Sequence, residues 1–245
     1  MRRVLWRWRT ITIYSYPAMQ YLGLVFGIVG GNYAANRAGL NSAAIFLATF
    51  LLLVPALVGA RLWHVALHWK TYRRAPARIW RRSEGGMAMY GGLPFALLTS
   101  VPLLSFLRLS FGAFWDVATF TILIGMICGR IGCLLNGCCS GRPTEGRLAL
   151  YLPDHRGIWK RRIPTQVLDA GWAMLLLVGA VGLSSRLPFP GALFLYCLAG
   201  YGIGRLGLES TREQQNKVGT LSINHVISAA IVGLAATAFV VVWYR

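Results

Sequence analysis

Residues 117–142 read VATFTILIGMICGRIGCLLNGCCSGR and place an arginine directly after a long apolar run. The first twelve of these residues carry no charge, and about 20 apolar residues suffice to cross a membrane as a helix. A cation such as Arg130 costs several kcal/mol at that depth unless it meets an anion, a polar cavity or the membrane interface. Its planar guanidinium suits phosphate. The stretch therefore predicts a membrane helix that ends at an anion site.

The composition of the whole chain indicates an integral membrane protein. Of its 245 residues, 56% are hydrophobic and 13% charged, against about a quarter charged in soluble domains. The mean hydropathy is +0.54. We predict an all-α integral membrane protein with about seven transmembrane helices, short loops and a small interfacial segment. The predicted spans lie near residues 16–35, 43–66, 87–107, 115–135, 166–184, 190–209 and 221–243.

The segments between the spans are too short for a second domain. The longest hydrophilic stretches, 67–86 and 136–165, lack the length and apolar content for a core of their own, so we predict one polytopic domain over residues 1–245. We expect no cleaved signal peptide, because Met1–Arg9 is rich in Arg and Trp and the first apolar stretch is too long. Residues 148–153 are predicted to form a short strand or an interfacial turn.

The formal net charge of +18 favours the membrane surface over nucleic acid as a partner. The basic residues occupy short loops among tryptophans, as is typical of headgroup contacts. Examples are the arginines beside Trp6 and Trp8, and the segment Trp159–Arg162. Because such loops attract anionic lipid, we expect membrane lipids as partners and no nucleic acid.

The basic residues also divide unevenly between the two sides of the membrane. The amino terminus and the loops after the second, fourth and sixth spans carry 18 of the 25 Lys and Arg residues. By the positive-inside rule this distribution places the amino terminus in the cytoplasm and the carboxyl terminus outside.

The run from Gly129 to Arg142 is the first candidate site. Its glycines permit close approach of the backbone to a ligand or a neighbouring helix. Asn136 supplies a donor and an acceptor, and Arg142 adds a second cation in the following loop. The alternative is a helix end with a tight turn, from which Arg130 extends to the membrane interface.

Three cysteines, Cys133, Cys138 and Cys139, belong to the same run. They do not predict a metal site, because zinc usually takes four ligands in paired spacings and no second pair is near in sequence. Adjacent cysteines rarely form a simple structural disulfide. A role as small or ligand-lining residues is therefore predicted, with no metal and no cofactor.

The second candidate site opens the third span. Residues 84–93 read EGGMAMYGGL, so glycine pairs flank Tyr90. Its phenol would be accessible to a ligand in the adjacent space. The alternative is an aromatic residue at the membrane interface.

The third candidate site closes the sixth span, where residues 204–212 read GRLGLESTR. Arg205 and Glu209 are four residues apart on one helix face, and Glu209 and Arg212 are three apart. This spacing predicts a chain of paired charges in low dielectric. It is either purely structural or leaves Arg205 an edge for a phosphate.

Polar residues open the fifth span. Pro164-Thr165-Gln166 is typical of a helix start, with Thr165 as the cap and Gln166 inside the span. Asp169 is an acid within the same helix, and we expect it to face protein rather than lipid.

Taken together, these segments resemble the bacterial prolipoprotein diacylglyceryl transferase family. The matches follow the family's order across most of the chain. They are Ser15-Tyr16, Tyr90-Gly91-Gly92-Leu93, the run 129–142, Pro164-Thr165-Gln166 and Arg205–Arg212. The core pattern Gly-Arg-Ile-Gly-x-x-x-Asn-Gly-x-x-x-Gly-Arg is specific.

The resemblance implies an activity and a location. The family transfers an sn-1,2-diacylglyceryl group from phosphatidylglycerol to the lipobox cysteine thiol of a prolipoprotein and releases glycerol phosphate. This reaction requires stabilisation of a departing negative charge and removal of the thiol proton. The family's site lies toward the outer face of the bacterial cytoplasmic (inner) membrane. That orientation opposes the one predicted from the basic residues, and for the site we follow the resemblance.

The resemblance also assigns residue roles. Arg130 and Arg205 would hold and polarise the phosphate, and Tyr90 stands at a catalytic position. Glu209 would orient Arg205, and Arg212 would contribute positive potential. The other substrate-binding positions are Tyr16, Asn136 and Gly141, which would shape the lipid site, and Arg142.

Three positions depart from the usual family pattern. Typical members have histidine at Tyr90, asparagine at Cys133 and glutamate at Cys138. An unperturbed tyrosine, with a pKa of about 10, is a poor base at neutral pH. Either the pKa of Tyr90 is strongly perturbed, or another group accepts the proton, or the acceptor substrate differs from that of typical members.

Two other functions are open at the level of the sequence. One is a transporter or channel for a sulfur-containing or anionic solute, which would use broken helices around a midplane site; no inverted repeat is visible in its support. The other is a lipid-binding relative without catalysis. A lateral opening between helices beside Arg130 would favour the transferase, and a continuous polar path would favour transport.

Overall fold

In the computed structural model, the described residues are 3–9, 11–73, 76–79, 89–154, 157–213, 217–218 and 221–244. The chain divides into two units, one formed by Met1–Ala34 with Trp115–Arg245 and the other by Ala35–Phe114. Part of the second candidate site, residues 84–88, lies outside the described residues.

Helices account for most of the described chain. They are α1 (Ser15–Arg37), α2 (Ser42–Leu67), α3 (Trp69–Tyr72), α4 (Met89–Phe106), α5 (Phe111–Asn136), α6 (Thr165–Leu183), α7 (Ala192–Glu209) and α8 (Ile223–Trp243). Every one of these helices except the single turn α3 corresponds to a predicted span, so the all-α membrane fold is confirmed. Some helix starts differ from the prediction. Helix α5 begins earlier because the Ser110 side chain accepts a hydrogen bond from the first turn, and α7 begins later because Gly191 adopts a φ of 103°.

Short antiparallel hairpins precede α1 and connect α5 to α6 and α7 to α8. The pairs are β1 (Val4–Trp8) with β2 (Ile11–Tyr14), β3 (Leu150–Pro153) with β4 (Trp159–Arg162), and β5 (Lys217–Val218) with β6 (Leu221–Ser222). The strand predicted within 148–153 is present as β3. The amino-terminal hairpin was not predicted, because its alternating Trp and Arg residues also fit headgroup contacts.

The helix surfaces are suited to lipid. Helices α2, α5, α6 and α8 are long and apolar enough to cross a membrane, and Gly91–Phe106 within α4 is a shorter apolar helix. Large apolar side chains such as Leu98 and Leu234, each 71% exposed, lie on their outer faces. Apolar surface on this scale is stable against acyl chains and costly in water. The chain is therefore a multi-pass membrane protein.

In the unit Ala35–Phe114, α2 and α4 pack through glycines. A Cβ at Gly91 would lie 2.4 Å from the carbonyl oxygen of Gly59. The buried guanidinium of Arg61 in α2 donates to the carbonyls of Ile79 at 2.7 Å and Arg78 at 3.3 Å. Its charge is thus stabilised locally by backbone dipoles.

In the other unit, α1 and α5 cross on a ridge of small residues. Gly23, Gly27 and Gly31 recur every four residues along one face of α1, as in close membrane-helix pairs. A Cβ at Gly27 would lie 2.7 Å from the carbonyl oxygen of Thr121. The Thr121 hydroxyl donates to the Gly27 carbonyl at 2.9 Å. This contact fixes α1 against the helix that carries Arg130.

Replacing Gly27 with alanine is expected to separate these helices. The new methyl would meet backbone rather than a flexible side chain, and such overpacking costs about 1–3 kcal/mol. Thermal unfolding in mild detergent measures the effect. The matched control is Gly233→Ala in α8, where a Cβ meets nothing within 4 Å. Equal unfolding midpoints for the two variants would show that the α1–α5 crossing is not tight.

Two contacts with neighbouring helices hold α7 in place, one near its start and one near its end. Near its start, the Asp116 carboxylate accepts from the backbone N–H groups of Gly191 at 2.7 Å and Phe194 at 2.9 Å, which suits the positive end of a helix. Further along, a Cβ at Gly204 would lie 2.0 Å from the indole nitrogen of Trp172. Only glycine allows this approach of α6, and it sets the position of the next residue, Arg205.

Candidate active site

The ends of α5, α6 and α7 bring three arginines and two carboxylates together. The arginines are Arg130, Arg205 and Arg212, and the carboxylates are Asp169 and Glu209. We call these five residues the arginine–carboxylate cluster. It unites the first and third candidate sites, which are separate in sequence.

Asp169 joins two of the arginines. One of its oxygens lies 3.2 Å from Nε of Arg130 and 2.5 Å from Nη2 of Arg212. Asp169 is buried on α6, so the expectation that it faces protein is confirmed. Its pairing was not predicted, because both partners are distant in sequence.

Glu209 is the second centre of the cluster and is fully buried. It accepts from Arg205 Nη2 at 2.6 Å, as the four-residue spacing predicted, and Arg212 Nε lies 3.8 Å away. Its other oxygen accepts from the Ser222 hydroxyl at 3.2 Å and the Asn224 amide at 2.7 Å. Four groups therefore fix this carboxylate.

The cluster carries more positive than negative charge. Three guanidinium groups face two carboxylates, so these five residues together carry a net charge of +1 in a poorly solvated place. Burial lowers the pKa of Arg212, and the neighbouring Arg205 lowers it further, while Asp169 opposes the shift. An anion bound here would relieve the repulsion among the arginines.

A cavity adjoins the cluster. Arg130, Asp169 and Arg205 form its polar wall. The rest of its lining is Met126, Trp172, Tyr201, Gly204 and Leu208. The cavity therefore places charged groups directly beside apolar side chains.

The three cysteines lie on the turn that follows α5. Gly137 and Cys139 have φ angles of 73° and 61°, which turn the chain sharply and bring the three thiol sulfurs within 4.8 Å of one another. We call Cys133, Cys138 and Cys139 the thiol cluster. The sequence did not predict this proximity, because it depends on a left-handed conformation at a cysteine.

Buried polar residues of α6 hold the cysteine turn in place. Gln166 Nε2 donates to the Cys138 carbonyl and the Thr165 hydroxyl to the Cys139 carbonyl, each at 2.7 Å. The prediction that Thr165 caps α6 is wrong, because Pro164 stands at the cap position and the Thr165 hydroxyl is engaged with the turn.

Gly141 lies where three segments meet. A Cβ there would lie 2.6 Å from the Thr211 carbonyl oxygen and 2.7 Å from that of Ile163. The backbone N–H of Gly141 donates to the carbonyl of Ile163 at 3.0 Å, and the backbone N–H of Arg142 donates to the carbonyl of Thr211 at 2.9 Å. Glycine at this position thus positions the end of α7, and Arg212 with it.

The other predicted site residues lie outside the arginine–carboxylate cluster, each in a different place. Tyr16 on α1 is within electrostatic range of Arg130 and of the thiol cluster. Asn136 ends α5, and its carbonyl accepts from Arg3 Nε at 3.1 Å. The Arg142 side chain is exposed, away from the ion pairs of the cluster. Tyr90 lies in α4 in the other unit, and its side chain is outside the described residues.

Arg162 differs from the headgroup role predicted for its segment. Its side chain is buried and pairs with Asp154 at 3.2 Å and Glu213 at 2.6 Å. Arg162 also donates to the carbonyl of Gly141 at 3.4 Å. This arginine, at the end of β4, therefore anchors the loop around Gly141. Asp154 follows the paired strand β3 and Glu213 is distant in the sequence, so no local pattern predicts this role.

Largely buried arginines that outnumber their carboxylate partners, in a helical membrane bundle, define a membrane protein with a candidate anion site. The sequence matches the family of prolipoprotein diacylglyceryl transferases over residues 3–243. The chain belongs to this family.

Similar proteins support the same assignment over nearly the full length. The phosphatidylglycerol–prolipoprotein diacylglyceryl transferase of Trichormus variabilis is 27% identical over 96% of this chain and 88% of its own length. The enzyme of that name from Halalkalibacterium halodurans is 29% identical over 96% and 83%. That from Bacillus cytotoxicus is 28% identical over 90% and 84%.

Proposed function

We propose that this chain is a transferase that moves an sn-1,2-diacylglyceryl group from phosphatidylglycerol to a cysteine thiol of a prolipoprotein and releases glycerol phosphate. The observation that carries the proposal is the arginine–carboxylate cluster, which has a net charge of +1 and adjoins a cavity lined by both charged and apolar side chains. The family match over residues 3–243 favours this function over transport.

Arg130 and Arg205 hold the lipid phosphate in this proposal. The Arg130 side chain is 20% exposed and pairs with Asp169 through Nε. Among the described residues it has no other ion pair, and it lines the cavity beside the cluster, so its terminal nitrogens would be available to a phosphate. A guanidinium fork there would bind two phosphate oxygens at once. Glu209 fixes Arg205 from the opposite side.

The chemistry follows from where charge develops. The acceptor thiolate attacks the glyceryl carbon that bears the phosphate, and the carbon–oxygen bond breaks. The departing glycerol phosphate gains negative charge on the released oxygen. Preorganised cations close to that oxygen lower the barrier, because they need little reorganisation as the charge forms. Arg130, Arg205 and Arg212 supply this positive potential.

The other predicted residues have supporting roles in this proposal. Tyr16 and Asn136 line the lipid site beside Arg130, and Gly141 keeps the adjoining loop close to the end of α7. Arg142 is exposed on that loop, and its positive charge attracts the anionic headgroup of the lipid. Tyr90 stands at the family's catalytic position.

The proposal places the protein in the bacterial cytoplasmic (inner) membrane with its site toward the outer face. The acceptor is then a lipobox cysteine of an exported prolipoprotein. The basic loops predict the opposite orientation, but loops that gather anionic membrane lipid also raise the number of basic residues on one side. Nucleic acid has no part in this function.

Thioether formation tests the proposal. Purified protein is incubated with phosphatidylglycerol and a lipobox peptide, and the peptide is analysed by mass spectrometry. We expect a diacylglyceryl thioether on the peptide cysteine and none on a peptide with serine in its place. Binding of the lipid without any thioether would instead support a lipid-binding relative that lacks catalysis.

A further inference from the structure

We propose that Cys133, Cys138 and Cys139 bind a zinc ion whose fourth coordination position takes the acceptor thiol. The metal site stands on the geometry of the thiol cluster. The role given to its fourth position rests on the proposed transferase function.

The geometry of the thiol cluster fits a zinc site with one open position. Thiolates bound tetrahedrally at about 2.3 Å from zinc lie about 3.8 Å apart, and the three sulfurs here are within 4.8 Å of one another. Small side-chain rotations therefore suffice to close the site. No fourth His, Cys or carboxylate joins the group among the residues that the structure describes. Three protein ligands with an open fourth position are typical of catalytic zinc.

The thiols are held in place before any metal binds. The carbonyls of Cys138 and Cys139 are fixed by the buried side chains of Gln166 and Thr165. Cys139 adopts a φ of 61°, a conformation that disfavours a side chain by about 1–2 kcal/mol. Glycine would be more stable there. A cysteine held at this position therefore indicates that its sulfur is used.

The three cysteines of the cluster differ in exposure, and positive charge lies near one of them. Cys133 is buried, Cys138 is half-buried and Cys139 is exposed, so an incoming thiol would reach the metal from the side of Cys139. Arg130 and Arg212 are within electrostatic range of Cys139. Their positive charge would offset the negative charge of a zinc ion bound by several thiolates.

The position of the cluster relative to Arg130 gives the metal a chemical role. Cys133 follows Arg130 by three residues on α5, so the two side chains are neighbours on one helix face. A thiol bound at the open position would thus lie beside the proposed phosphate site. Zinc holds a coordinated thiol as the thiolate, which supplies the deprotonation that tyrosine at position 90 performs poorly at neutral pH.

The reaction is balanced without any further reactant. The acceptor thiol binds zinc as the thiolate, and its proton passes to solvent. The sulfur forms a bond to the glyceryl carbon, and the bond from that carbon to the phosphate oxygen breaks. The electron pair of the broken bond stays on the phosphate oxygen, and the neutral thioether leaves the metal.

Metal binding by the full-length protein tests the site without reference to activity. Protein purified under reducing conditions is stripped with a chelator and titrated with Zn²⁺, or with Co²⁺ as a spectroscopic probe. We expect about one metal per chain and a thiolate-to-cobalt charge-transfer band. Serine in place of any one of Cys133, Cys138 and Cys139 should abolish stoichiometric binding. Cys128→Ser, which changes a half-buried cysteine outside the cluster, is the matched control and should bind as the wild type does.

Two results would overturn the site. They are no stoichiometric zinc in the reduced protein, or equal loss of binding in Cys128→Ser. The role of the open position has its own measurement, in which a lipobox peptide should shift the cobalt spectrum and its serine analogue should not. A spectrum unchanged by the thiol peptide would overturn that role. Because these readouts need no lipid and no turnover, they are independent of whether transferase activity is found.

Discussion

Replacing Arg130 with alanine is expected to lower the rate of diacylglyceryl transfer at least about 100-fold. The substitution removes a cation that faces the departing phosphate, and loss of one such group typically costs about 10²–10³ in rate. Stability should change little, because Asp169 keeps its ion pair with Arg212. The measurements are the transfer rate at saturating lipid and the thermal unfolding midpoint.

Two further variants sharpen this prediction. Arg130→Lys keeps the charge but loses the planar fork, so it should recover only a small part of the activity. Arg186→Ala removes an exposed arginine of the loop after α6 and should behave as the wild type. If Arg130→Ala retained more than half of the wild-type rate, Arg130 would not be a phosphate ligand.

Replacing Glu209 with alanine is expected to damage both stability and activity. This carboxylate is fully buried and contacts Arg205, Arg212, Ser222 and Asn224. Removing one partner of a buried ion pair leaves an uncompensated charge and costs about 3–5 kcal/mol. The unfolding midpoint should therefore fall, and the folded fraction should transfer slowly because Arg205 loses its support.

Glu209→Gln separates the two effects. The amide retains hydrogen-bonding groups and volume but not the charge, so it should restore much of the stability and little of the activity. The matched control is Glu145→Gln, which changes an exposed residue of the loop before β3. An unfolding midpoint of Glu209→Ala equal to that of the wild type would contradict the structural role of the cluster.

The membrane fold was largely predictable from the sequence. Apolar blocks near the length of a span locate helices because hydrocarbon requires every backbone group to be bonded within the segment. The pair Arg205 and Glu209 was predictable for a similar reason, since a four-residue spacing on a helix sets the distance between side chains. Both signals are local.

The features that the sequence did not predict depend on contacts between distant segments. Asp169 binds Arg130 and Arg212 from other helices. Arg162 lies in a basic segment near Trp159, a pattern typical of headgroup contacts. Its side chain is instead buried and forms ion pairs with Asp154 and Glu213. The thiol cluster depends on the left-handed backbone at Gly137 and Cys139, which spacing alone does not reveal.

Some of the predicted site residues match the usual family pattern, and others depart from it. The arginines and Glu209, which would handle the phosphate, match the family pattern. Tyr90, Cys133 and Cys138 stand where typical members have histidine, asparagine and glutamate. Two of these three positions belong to the thiol cluster, so the proposed zinc site would explain both departures by one change in how the acceptor thiol is activated.

The fate of the headgroup tests the central claim most directly. Phosphatidylglycerol labelled in its glycerol headgroup is incubated with the purified protein and a lipobox peptide, and the released label is identified beside the thioether. We predict glycerol phosphate in equal amount to the thioether, formed only when the cysteine peptide is present and absent with Arg130→Ala. Release of free glycerol or fatty acid, or release independent of the acceptor thiol, would contradict cleavage of the bond between the glyceryl carbon and the phosphate oxygen.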